Sequence, residues 1–129
     1  MPTLFTRIIS GEIPCHKLHE DERYFSFLDI RPVAPGHALV IPKDETDRFF
    51  DLSPHLLEGI LPFAQQVASA LEKEVRCDRV GLMVAGLEVP HAHLHLVPIN
   101  QIDDLNFANA QPADPDALAA LAKRIQTHL

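Results

Sequence analysis

A chain of 129 residues and 14.4 kDa suits one domain over residues 1–129, and 47% hydrophobic with 22% charged residues excludes a disordered tail. The 11 Lys and Arg against 18 Asp and Glu leave a formal net charge of -7, which argues against nucleic acid or an anionic membrane surface as partner. Cys15 and Cys77 form no CxxC pair, and the N-terminus lacks a signal-peptide pattern. The expectation is a reducing, cytoplasmic setting with neither a disulfide framework nor a cysteine zinc site.

In chain order, Leu4, Phe5, Ile8 and Ile9 recur at helical spacing, and Gly11 stands where a left-handed C-terminal cap is wanted. The spacing predicts a short helix over 3–10. Two strand-like runs, 17–20 and 23–29, flank Asp21-Glu22 as a hairpin with Phe25 and Phe27 on one face. After a Pro32, Pro35 and Gly36 turn, residues 37–43 suit a buried strand. Ser53-Pro54 is a cap followed by a first-turn proline, and an apolar stripe from Leu57 to Val75 marks the main helix. Pro62 lies inside it and predicts a kink or restart. Residues 79–84 and 91–97 read as further strands, 100–113 as a polar loop, and Asp114-Pro115 opens a last amphipathic helix. Adjacent strand pairs with a long intervening helix predict an α+β domain, an antiparallel sheet with helices on one side.

Three of the 8 histidines, His91, His93 and His95, alternate with apolar residues, so a strand would carry all three on one face. Imidazoles titrate near neutral pH and can act as nucleophile, proton donor or hydrogen-bond donor. A metal centre is the competing reading. At about 3.3 Å per residue the outer two Cα atoms lie roughly 13 Å apart, too far for one ion to gather all three rings. Two neighbouring rings could still share an ion with help from a distant residue, so a two-histidine metal site stays as the competing reading; no cofactor is otherwise expected. His16, His19, His55 and His128 lack such a context and are expected to face solvent.

His91-Ala-His-Leu-His-Leu-Val97 matches the His-φ-His-φ-His-φ-φ signature of the histidine-triad (HIT) nucleotide-binding proteins. Segments 4–9, 11–14, 29–30 and 34–43 resemble that family in order and spacing, so that the likeness covers residues 4–99 and leaves 100–129 as a loop and C-terminal helix. The resemblance implies a five-stranded antiparallel sheet whose main helix and a central strand pair two copies into a homodimer with a continuous sheet. It implies a purine nucleotide such as AMP as partner, and hydrolysis of nucleoside phosphoramidates or related substrates through a covalent nucleotidyl-histidine. By position, His93 is the nucleophile, His91 and His95 contact the phosphate or leaving group, and His37 joins their network. Leu4, Phe5, Ile8 and Ile30 match the base pocket, and Asp29 matches the carboxylate that holds the ribose diol. Read alone, Leu4, Phe5 and Ile8 equally suit a helix face packed on the core, and Asp29 a turn.

The chain departs from the related pattern before the triad. That branch carries Gly-Gln-Ser/Thr-Val, whereas this chain has Gly86-Leu-Glu-Val89. Gly86 keeps the backbone that can cradle an oxyanion, but Leu87 and Glu88 replace two side-chain donors. An ionised Glu88 would repel a phosphate unless turned away, protonated or paired with an imidazolium such as that of His91. The alternative to an active hydrolase is thus a weakly catalytic nucleotide-binding regulatory module.

Overall fold

The structure is a computed structural model and describes residues 2–129. Helix α1 (Leu4–Ile9) starts at Thr3, whose side chain accepts from the Thr6 amide. It ends before Gly11 at φ +83°, the left-handed geometry that glycine adopts without strain. Strands β1 (Lys17–Glu20) and β2 (Tyr24–Leu28) form the expected hairpin, and β3 (Ala38–Pro42) follows the turn. Helix α2 (Pro54–Glu74) is capped by the Ser53 hydroxyl on the Leu56 amide. Strands β4 (Arg79–Met83) and β5 (Leu94–Ile99) then precede α3 (Pro115–Gln126).

The five strands run in the order β1-β2-β3-β5-β4, each pair antiparallel. One face carries Tyr24, Leu28, Val40, Leu94 and Leu96 against Ile60, Phe63, Val67 and Leu71 of α2 and Leu118, Ala122 and Ile125 of α3. The opposite face buries Phe25, Phe27, Leu39 and Ile41 under Phe5 and Ile8 of α1. The expectation of helices on one side is therefore corrected: α1 crosses to the other face. A five-residue strand such as β2, buried at every position, needs cover on both sides.

Three further expectations change. Of the kink or restart expected at Pro62, the restart does not occur, since α2 is one helix through it; Pro62 and Glu58, the residue whose carbonyl loses its helical donor, both lie on its exposed side. Asp114 occupies the cap position of α3, but its side chain makes no capping bond. The loop 100–113 contains two short 3-10 turns, Ile102–Leu105 and Phe107–Asn109. Among the described residues no helix is long and apolar enough to cross a membrane, and Cys15 and Cys77 are both free thiols.

Candidate active site

Strand β5 begins at Leu94, so His91 and His93 precede it and only His95 lies within it. Pairing with β3 starts at Leu94 opposite Val40. Further back, Pro42 has no N–H to extend the ladder, and its carbonyl accepts instead from the His91 ring at Nε2, 2.8 Å away. Such an acceptor places the His91 proton on Nε2, which leaves Nδ1 to accept from the Thr3 hydroxyl at 2.7 Å. Glu45 completes the clasp by accepting from the Thr3 amide and, at 3.1 Å, from the Thr6 hydroxyl.

Fully buried, with both ring nitrogens committed, His91 has no atom to offer a phosphate. The structure thus places its side chain as a brace. Its backbone carbonyl does the orienting, accepting from His93 Nδ1 at 2.7 Å. That bond fixes the tautomer and leaves the His93 Nε2 lone pair free for attack. Burial lowers the His93 pKa, partly opposed by this hydrogen bond, and so favours the neutral nucleophilic form.

A second chain orients His95. The Val33 amide donates to His37 Nδ1 at 3.1 Å, so His37 carries its proton on Nε2 and gives it to His95 Nδ1 at 2.9 Å. His95 is left with Nε2–H as a fixed donor. Burial first, then repulsion from His37 and His93, lowers its pKa to about 3, so it stays neutral across the physiological range. Burial also lowers the His37 pKa, against the pull of Asp29.

Asp29 lies in a turn beside the histidine cluster. Its Oδ1 accepts from the Arg31 amide at 2.8 Å, a turn bond, while Oδ2 lies 3.7 Å from His37 Nε2. Phe5 and Ile8 are core residues, whereas Leu4 and Ile30 are 45% and 64% exposed, which leaves two apolar side chains uncovered at this end. Gly86 has φ +76°. Glu88 is exposed and makes no ion pair with His91, so the expected pairing is corrected; the His91 nitrogens are already bonded elsewhere. Its carboxylate is close enough only to favour protonation of His93 slightly.

Of the remaining histidines, His55 and His128 are exposed, His128 also reaching Glu74 at 3.2 Å, but His16 and His19 are half-buried, His19 stacked on Phe63 with centroids 5.0 Å apart. Three residues that serve the site escaped the sequence reading: Thr3, Pro42 through its carbonyl, and Phe107, whose ring meets His95 edge-on at 5.0 Å. The cap position of Thr3 was a legible signal; the other two arise from chain crossings. Among the described residues Asp29, His37 and His95 also bring three potential metal ligands within 4.8 Å of one another. The sequence pattern pointed to two neighbouring triad histidines with a distant partner, whereas here a single triad ring meets two residues of the turn between β2 and β3.

The Thr3 clasp makes a direct prediction. Thr3→Val removes the cap and leaves the buried His91 Nδ1 without a donor, which should destabilise the protein by about 2 kcal/mol. Thr3→Ser should restore most of it, as read by urea unfolding.

A five-stranded antiparallel sheet with a buried, tautomerically ordered histidine cluster at the lip of its central strands defines a histidine-triad fold. Sequence comparison agrees, since a HIT domain model matches residues 10–102. An adenosine 5'-monophosphoramidase of Schizosaccharomyces pombe is 33% identical over 132 residues, covering 100% of this chain and 99% of that protein. A HIT-like protein of Bartonella henselae superposes with a TM-score of 0.87 at 30% identity, over 98% of this chain and 96% of the other. A zinc-bound histidine triad protein of Mycobacterium smegmatis gives 0.82 at 31%, over 97% and 91%. This chain belongs to the HIT family.

Proposed function

We propose that the protein is a purine nucleoside phosphoramidate hydrolase working through a nucleotidyl-histidine, with the whole chain acting as one cytoplasmic domain. The observation that carries this reading is the His91 carbonyl on His93 Nδ1, which holds a neutral imidazole with Nε2 open. The relatives named adenosine 5'-monophosphoramidase support the substrate class. In the first step His93 Nε2 forms a bond to phosphorus and the P–N bond breaks, its electron pair leaving on the amine, which takes one proton from solvent. Water then attacks phosphorus, the His93–P bond breaks, AMP departs, and a proton returns to solvent. His95 Nε2–H donates to a phosphoryl oxygen, where a preorganised donor strengthens most in the transition state. Leu4 and Ile30 border the base, with Phe5 and Ile8 beneath, Asp29 accepts from the ribose hydroxyls, and the Gly86 backbone faces the phosphate. Adenosine phosphoramidate incubated with the protein should yield AMP and ammonia; no AMP above the uncatalysed rate would refute the assignment.

The assembly belongs to the same proposal. Strand β4 is a sheet edge, and beside it Leu61 on α2 and Leu82 on β4 are 55% and 48% exposed, flanking a groove with Ala64, Ala68 and Val80. An unpaired apolar edge invites a second copy. A homodimer sharing one sheet would bury roughly 2,000 Å² or more. Sedimentation should give twice the chain mass of 14.4 kDa at micromolar concentration, and Leu82→Glu should shift it to the monomer.

A further inference from the structure

Phe107 is 40% exposed and belongs to neither buried apolar cluster, yet its ring stands edge-on to His95, with centroids 5.0 Å apart and planes at 65°. It ends a row of rings. Phe5 to His93 is 5.1 Å, His93 to His95 is 5.0 Å, and Phe107 follows. The two phenylalanines come from opposite flanks of the sheet. Phe5 packs over β2 and β3, whereas the segment bearing Phe107 packs over β4 and β5, where a Cβ placed on Gly81 would come within 3.3 Å of Leu105 Cδ2.

The segment is held in place. Asp104 accepts from the Asn100 amide at 2.8 Å and the Gln101 amide at 3.1 Å, Asn106 accepts from the Ala108 amide at 2.9 Å, and Asn109 donates to the Asp103 carbonyl at 2.8 Å. Beyond it, the Ala113 amide donates to the Ile30 carbonyl at 3.1 Å, which ties the segment back to the turn bearing Asp29. An exposed aromatic ring on a pinned segment is a preformed contact surface that needs little ordering when it meets a ligand.

We propose that Phe107 is a specificity-determining residue that forms one wall of the leaving-group site and favours substrates whose departing amine carries an aromatic or other flat apolar group. This rests on the phosphoramidate reading above. With the nucleoside on the α1 side of His93, Phe107 stands on the other side, beside His95. An aromatic substituent there gains a ring contact, whereas ammonia is too small to reach it.

The test compares kcat/KM of the full chain for two adenosine phosphoramidates, one releasing ammonia and the other benzylamine. Phe107→Ala should lose roughly three- to tenfold on the benzylamine compound. Its loss on the ammonia compound, where only the edge contact to His95 is removed, should be smaller than this. Phe107→Tyr should keep the wild-type ratio, and AMP affinity should be unchanged in both variants. Equal loss on both compounds would make Phe107 a brace for His95 and overturn the inference, as would a wild-type ratio in Phe107→Ala. Wild-type protein that hydrolyses neither compound would overturn the functional reading and this inference together.

Discussion

His93→Ala should lower turnover of adenosine phosphoramidate by roughly 10³-fold or more while AMP affinity changes only a few-fold. A nucleophile contributes mainly beyond the ground state, so its loss appears in kcat. The ring does have packing neighbours, Phe5 at 5.1 Å and His95 at 5.0 Å, so some stability is lost as well. Circular dichroism and AMP binding therefore accompany the kinetics, to separate a folded, inactive variant from an unfolded one. A denaturing quench during turnover of substrate labelled at phosphorus should retain label on the wild-type chain and none on His93→Ala. A variant with undiminished turnover would remove the covalent pathway.

The second large effect is loss of stability in mild acid. His95 has a folded pKa of about 3 against an ordinary 6.5, and burial pushes His37 and His93 in the same direction. A depressed imidazole binds its proton more readily in the unfolded chain, so the stabilisation is complete above about pH 6.5. It declines as pH falls, by up to about 1.4 kcal/mol per pH unit for each such group, and for His95 levels off near pH 3. Set against a total of about 5–15 kcal/mol, this is a large share. Glu20 and Asp104 are shifted downward and also favour unfolding in acid, but only below the ordinary carboxylate value of 4.5 or less. The window between about pH 6.5 and 5 therefore isolates the histidines. Urea midpoints should fall steadily through it, and His95→Asn should flatten the slope; a midpoint constant from pH 7 to pH 5 would contradict the buried neutral network.

Much of this molecule is written locally. The Ser53-Pro54 start of α2, the Gly11 turn, the β1-β2 hairpin and the alternation at 91–97 are local signals, because capping, left-handed φ and face periodicity depend on neighbours a few residues away. The same signals show that the histidines form one cluster. They do not show which atoms each ring spends. His91 is a brace rather than a phosphate contact because Thr3, 88 residues away, and Pro42, 49 residues away, take both its nitrogens. The late start of β5 follows from the same crossing, since the partner strand, not the local pattern, decides where pairing begins.

The fate of the other imidazoles divides in the same way. His55 is as exposed as expected of a histidine outside the triad, whereas His19 finds Phe63 through the packing of α2 on the sheet. Phe107 reads as one residue of a polar loop until the chain turns back and sets it beside His95. By itself the sequence determined the elements, the α+β class and the residues able to do the chemistry, because period, capping and side-chain type act over a few residues. The tertiary structure decided the tautomers, the depressed pKa values and which ring nitrogens are bonded and which stay open. Hydrogen-bond partners and desolvation come from chain segments that meet only in the fold.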